Sequence, residues 1–209
     1  MSYQALDVAR HGRSVAMTAA QTEESDEVLL HRFARGDAAA ASVLTNRLAP
    51  RVYGVALRVL GDSAEAEDVT QEAMMRLWRI APDWQAGQAR PGTWLYRVVM
   101  NLCLDLKRKH KRRVLGLDGV AEPADPAPSA PEQLQTDARN DALQAALMQL
   151  PDRQRQAVVL RHLEDLPNPE IAEIMQISVE AVESLVARGK RALTMALAAR
   201  REDLGYSND

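Results

Sequence analysis

At 209 residues the chain has room for one or two small domains, and an apolar fraction of 46% is enough for a core. With only 4% aromatics, 10 glycines and few β-branched runs among abundant Leu, Ala, Val, Arg and Glu, a sheet-rich class is excluded, and the single Cys103 excludes an internal disulfide or a Cys-rich zinc site. The net charge of −3 hides a segregation: Lys and Arg stand 7 against 11 Asp and Glu in residues 1–75, 10 against 2 in 76–113, and 9 against 16 in 114–209. One basic block between two acidic flanks points to a local site for a polyanion.

Residues 1–25 are non-periodic and read as a tail. Ser25 or Asp26 opens a short helix that Gly36 stops, with Val28, Leu29 and Phe33 as its apolar stripe. Asp37 opens an Ala-rich helix to about Leu48, and Pro50 is expected to break it and start another that ends at Gly61. Asp62 with Glu65 three residues on has the form of a capping box. The helix behind it places Val69, Met74, Leu77 and Trp78 inward and Glu65, Asp68, Gln71, Glu72 and Arg76 outward, up to about Ala81. Asp83 to Gly92 is a loop in which Trp84 looks exposed.

From Thr93 to Arg113 runs the amphipathic helix around which the chain is organised. Trp94, Val98, Leu102 and Leu106 repeat at i, i+4 and predict its apolar face. Arg97, Asn101, Asp105, Arg108 and Arg112 fall on another face, and Lys107 to Arg113 holds six Lys or Arg in seven residues. One or two cations satisfy the negative pole of a helix, so the excess asks for nucleic acid. A solvated basic arm is the bland alternative.

Residues 114–136 hold Pro123, Pro126, Pro128 and Pro131 and read as a Pro-rich linker. Four helices are then expected over 136–150, 152–164, 169–175 and 179–199, with Asn168 and Ser178 as N-caps. Ile171, Ala172, Met175, Ile177, Val182, Leu185 and Leu193 are the expected core of this part. The turn Gln176-Ile177-Ser178 has the length of a helix-turn-helix, whose alternative is a plain helical hairpin. In a reader of that type Ser178, Glu180, Ala181, Glu183, Ser184 and Arg188 face base edges, with Lys190 and Arg191 near phosphate. Two Glu there repel phosphate unless they accept from cytosine amino groups or stay solvated. The fold class is therefore all-α: two small helical domains joined by a Pro-rich linker, the second with a helix-turn-helix.

Three stretches carry a resemblance: SAEAEDVTQEAMMRLWR, GTWLYRVVMNLCLDLKRK and LPDRQRQAVVLRHLEDLPNPEIAEIMQISVEAVESLVARGKRAL. In this order, with a linker between, they resemble a bacterial RNA polymerase sigma factor of the extracytoplasmic-function group within the sigma-70 family. The resemblance implies a region 2 domain over residues 26–113, a region 4 domain over 137–204, and a short tail over 205–209. It implies that Asp68, Gln71, Glu72, Met75 and Arg76 bind core RNA polymerase at a coiled coil of β′, with β as a further contact. It implies that Trp84, Arg97, Asn101, Asp105, Lys107, Arg108, Lys109, Lys111 and Arg112 bind the promoter −10 element, where a flipped base stacks near Trp84 and meets Asn101. The helix-turn-helix residues named above bind the −35 element by the same resemblance.

Core polymerase, promoter DNA and an anti-sigma protein are the implied partners, in the cytoplasm, with no catalytic residue, metal, cofactor, small-molecule substrate or membrane span. Two departures stand out. The loop QAGQARPG lacks an aromatic near Arg90, and Glu180 and Glu183 stand where many relatives have Gly and Lys. A helix-turn-helix regulator that acts on duplex DNA without polymerase is the second reading, and a carboxylate-metal enzyme a distant third.

Overall fold

The computed structural model describes residues 24–85, 87, 89–114 and 131–198. Among these every regular element is helical: α1 (Asp26–Ala34), α2 (Ala38–Leu60), α3 (Ser63–Ile80), α4 (Pro91–Val114), α5 (Pro131–Met148), α6 (Asp152–Val158), α7 (Asn168–Met175) and α8 (Val179–Ala198), with a short 3₁₀ turn at Ala81–Asp83. α6 runs on into a π-type turn over Val159–Leu163, so the helix expected over 152–164 is present but underwound at its end. The tail and most of the linker, residues 115–130, lie outside the described residues.

The caps explain most of the starts. Ser25 accepts from the Val28 amide, Asp37 from Ala39 and Ala40, Asp62 from Glu65, and Ser178 from Ala181. Gly36 and Gly61, both at positive φ, end α1 and α2. Glu65 does not close its capping box; its carboxylate instead meets His110 Nε2 at 2.9 Å, tying the start of α3 to the cationic end of α4.

Three expectations need correction. Pro50 does not break the chain: α2 runs unbroken from Ala38 to Leu60. Pro50 is exposed, so the Asn46 carbonyl that loses its partner faces water, while Leu44, Leu48, Val52 and Val55 stay buried on the other side. Asn168 is not the N-cap of α7. Pro167 takes that place, and the Asn168 side-chain oxygen is buried without a partner. α5 begins at Pro131, inside the stretch read as linker, because proline suits a first helical turn.

α1–α4 form one helical group and α5–α8 a second, and one continuous apolar cluster joins them. In α4 the deepest side chains are Leu95, Val99 and Cys103, while Trp94, Val98, Leu102 and Leu106 are half-buried beside them. The apolar arc of α4 is therefore wider than the i, i+4 stripe, because α2, α3 and α7 all pack on it. Burial pushes the Cys103 thiol up to about 12, which leaves it a small apolar filler. In the second group the expected core is buried at Ile171, Ala172, Met175 and Val182 and half-buried at Ile177, Leu185 and Leu193.

α8 crosses α6 closely at Gly189, where a Cβ would stand 2.5 Å from Val158 Cγ2. The buried Arg155 guanidinium closes the seam between the groups. It donates to the carbonyls of Leu147 (2.7 Å), Met148 (2.9 Å) and Leu150 (2.8 Å) and, across the seam, of Val59 (2.8 Å). Five N–H donors in a fixed fork fit such a cluster of helix-end carbonyls, which lysine does not. Burial lowers its affinity for its proton, yet it stays charged, since guanidinium begins far above neutrality.

Candidate nucleic-acid interface

The basic helix presents its polar residues as the spacing predicts. Asn101, Asp105, Arg108, Lys109, Lys111, Arg112 and Arg113 are exposed, and Asp105 accepts from Arg108 at 3.2 Å. Arg97 and Lys107 are only partly exposed, because the second helical group meets them. Arg97 donates to the carbonyl and the carboxylate of Glu173, each at 3.3 Å. Lys107 Nζ lies 2.8 Å from Asp152, and its side chain is 19% exposed.

The same seam continues along α4. The Thr93 hydroxyl donates to Glu170 and the Tyr96 hydroxyl to Glu164. Arg51 of α2 pairs with Glu164 at 3.3 Å and lies over the Tyr96 ring. Burial and the neighbouring Glu164 carboxylate both hold the Tyr96 phenol protonated far into alkali.

Trp84, expected to be exposed, is half-buried. Its ring sits edge-on to Trp94, with centroids 6.0 Å apart, and its N–H is enclosed without a partner. The loop behind it is pinned where the Gly87 amide donates to Glu27 at 3.2 Å. Between this loop and α7 lies a cavity of about 450 Å³ lined by Glu27, Arg90, Thr93, Pro167, Glu170 and Glu173.

On α3, Asp68, Gln71, Met75 and Arg76 are exposed, and the half-buried Glu72 holds Arg76 at 2.7 Å. Two adjoining hollows of about 460 and 480 Å³ run between α2 and α3. Their other wall is Thr45, Ala49 and Tyr53 of α2, with Phe33 of α1 against Trp78 at 4.8 Å. Sequence reasoning missed that wall. The available signal was Tyr53, a lone aromatic in a helix otherwise Ala- and Val-rich. An exposed Met75 beside aromatic rings and Glu67, with the exposed Asp68 next along α3, suits a helical partner with an apolar stripe and basic flanks.

The helix-turn-helix is formed by α7 and α8. Gln176 takes the left-handed conformation at φ 54°, and the amides of Gln176 and Ile177 both return to the Ala172 carbonyl. Ser178, Glu180, Glu183, Ser184, Arg188, Lys190 and Arg191 are exposed and Ala181 half-buried, so one open face carries the whole predicted set. Glu180 sits in the first turn, where its own backbone amide and Ser178 hold its carboxyl below the usual range. Among the described residues no group of three or more His, Cys, Asp or Glu is placed to hold a metal, and no helix is long and apolar enough to cross a membrane.

Two parts of the chain match known families. Residues 44–113 match the family described as Sigma-70 region 2, and residues 140–193 match Sigma-70, region 4. The chain is 36% identical over 184 residues to the ECF RNA polymerase sigma factor SigE of Mycolicibacterium smegmatis, covering 83% of this chain and 69% of that one. It is 31% identical to the RNA polymerase sigma-H factor of Pseudomonas aeruginosa, over 84% of this chain and 95% of that one. Among solved structures it shares its fold with CnrH in complex with the cytosolic domain of CnrY, at a TM-score of 0.62 and 23% identity over 84% of this chain and 99% of that one. It also shares the fold of the sigma factor RpoE in complex with the anti-sigma factor NepR from Bartonella quintana, at 0.60 and 24% over 74% and 94%.

Proposed function

The chain belongs to the extracytoplasmic-function RNA polymerase sigma factors of the sigma-70 family, and from that premise we propose how its surfaces divide the work. As a sigma factor it binds core RNA polymerase, recognises the −35 and −10 promoter elements and directs transcription initiation. Residues 26–113 act as the polymerase and −10 domain and residues 137–204 as the −35 domain. Asp68, Gln71, Glu72, Met75 and Arg76, with the α2 wall of Thr45, Ala49 and Tyr53, take the coiled coil of β′. Arg97, Asn101, Asp105, Lys107, Arg108, Lys109, Lys111 and Arg112 take the opened −10 strands, with Trp84 bracing the loop beside them.

The −35 duplex falls to Ser178, Glu180, Ala181, Glu183, Ser184, Arg188, Lys190 and Arg191. Arg188 is the best reader among them, since only a long cation on that face reaches the O6 and N7 of guanine. The work is done in the cytoplasm by binding alone, without bond chemistry in this chain, and an anti-sigma protein controls it.

The observation that carries this division is the separation of chemistry by helix. The apolar groove lies between α2 and α3, while the densest run of cations, Lys107 to Arg113, lies on α4 and a second group, Arg188, Lys190 and Arg191, on α8. Run-off transcription with core polymerase over a randomised promoter library tests it. Start sites sharing two spaced elements, absent without the chain, are expected. A chain that failed to join core polymerase, yet footprinted intact duplex alone, would instead be a helix-turn-helix regulator.

A further inference from the structure

The rotation of α8 about its own axis is fixed by its packing. Val182 is fully buried, Gly189 lies against Val158, and Leu185, Val186 and Leu193 pack beside them. The opposite arc holds Glu180, Glu183, Ser184, Ala187, Arg188 and Arg191, all exposed. At about 100° and 1.5 Å per residue, Glu183 and Arg188 stand roughly 140° apart around the helix and about 7.5 Å apart along it. The short Ala187 lies between them.

The two acids at the start of this arc are not equivalent. Glu180 lies in the first turn, where its own amide and Ser178 hold its carboxylate. Glu183 lies one turn further on, past the free amides that a helix start offers. It makes no hydrogen bond or ion pair among the described residues. Its neighbours at i±3 and i±4 are Glu180, Val179, Val186 and Ala187, so no cation of its own helix answers it and one acid opposes it. On a face that approaches phosphates, such a free carboxylate costs binding unless the groove supplies a donor.

The major groove supplies two kinds of base donor, the N4 amino group of cytosine and the N6 amino group of adenine. Beside N6, adenine carries the N7 acceptor, which repels a carboxylate. Beside N4, cytosine carries only a C–H. Guanine and thymine present acceptors to the groove. We propose that Glu183 selects a cytosine in the −35 element, by accepting from its N4 amino group and rejecting the acceptor edges of guanine and thymine. The inference rests on the assignment of α8 to the −35 duplex. Arg188, on the other flank of the arc, takes its guanine at a different position. Selectivity at the Glu183 position comes from repulsion as much as from attraction.

The test uses holoenzyme assembled from core RNA polymerase and the full chain, on promoters randomised in both elements, with the transcribed templates sequenced. The natural chain is expected to enrich cytosine at one −35 position roughly tenfold over the other bases. Glu183→Ala should flatten that position alone. Glu183→Gln should move it to adenine, because an amide both accepts from N6 and donates to N7. Both replacements are good helix formers at an exposed site, so the fold holds.

If both variants keep the cytosine, or gain equally over all templates with an unchanged base profile, Glu183 is only a solvated charge and the proposal falls. A preference for another base that vanishes in Glu183→Ala overturns the choice of cytosine. Arg188→Ala reports separately on the assignment beneath. A position flattened by Arg188→Ala, beside indifference to both changes at Glu183, sinks this inference and leaves α8 as the reader. No position changed by any of the three variants removes α8 from the −35 element altogether.

Discussion

α8 and α4 both carry cations proposed to face DNA, and they differ in who else touches them. The proposed reading face of α8 opens to solvent, and the exposed Arg188 donates to the Ser184 carbonyl of its own helix at 3.2 Å. α4 has a companion for Arg97 and Lys107 in the second helical group. The proposed duplex reader is therefore open to solvent, while two cations of the proposed single-strand reader are already paired. The difference is one of placement, since the cation density of α4 exceeds that of α8.

The largest expected effect comes from the centre of the seam. Arg155→Met keeps volume but leaves the carbonyls of Leu147, Met148, Leu150 and Val59 without their donor. With about 1–3 kcal/mol for each buried group left unsatisfied, and some relaxation, we expect a loss of about 4 kcal/mol in urea unfolding. Hydrogen exchange should rise first at the ends of α2 and α5. A loss no larger than a surface substitution would show the seam to be held by its exposed pairs alone. Next in size is Gly189→Ala. The added methyl meets Val158 and the Gln154 carbonyl, and overpacking of this kind costs about 2 kcal/mol. It acts on α8 without touching α4, so stability against unfolding should fall while single-strand affinity holds.

Two substitutions compare the readers directly. Arg188→Ala should weaken binding of the −35 duplex by about 1–3 kcal/mol in the free chain and in holoenzyme alike. Asn101→Ala should reduce promoter opening roughly tenfold, the worth of about one well-placed hydrogen bond, with core binding intact. Its effect is read in holoenzyme, where the −10 strands are opened. Loss of core binding in step with opening would place Asn101 in the fold and not in the reader.

Local signals in the sequence were reliable where the physics is local. Ser25, Asp37, Asp62 and Ser178 cap the helices that their side chains predict, since an N-cap needs only its own next turn. Asn168 and Pro50 misled for opposite reasons. At Asn168 the preceding Pro167 is already extended and supplies the boundary. At Pro50 the burial of a long apolar face outweighs one lost hydrogen bond.

The i, i+4 stripe of α4 lies one residue off its deepest line, because α1, α2, α3 and α7 all pack on it and one stripe cannot describe them. The seam itself was not legible. Asp152 is 45 residues from Lys107 and Glu173 is 76 from Arg97, and no local rule relates a carboxylate to a cation across a proline-rich stretch. Of the candidate site, the open face of α8 and the exposed side of α3 could be read from periodicity alone. The covering of Arg97 and Lys107 required the three-dimensional arrangement.

The smallest effect sharpens the same contrast from the polymerase side. Asp62 accepts from the Glu65 amide at 2.9 Å and starts α3, and Asp62→Ala should cost about 1 kcal/mol in urea unfolding. The first turn would fray and loosen Glu65 from His110 at the end of α4. Asp68, Gln71 and Met75 lie beyond that turn on continuous helix, so affinity for core polymerase should hold. Asp62→Asn should restore the stability, because an amide oxygen caps as well as a carboxylate. If core affinity fell tenfold in Asp62→Ala and returned in Asp62→Asn, the first turn of α3 would belong to the polymerase face. The tie between Glu65 and His110 would then link polymerase docking to the DNA-binding end of α4.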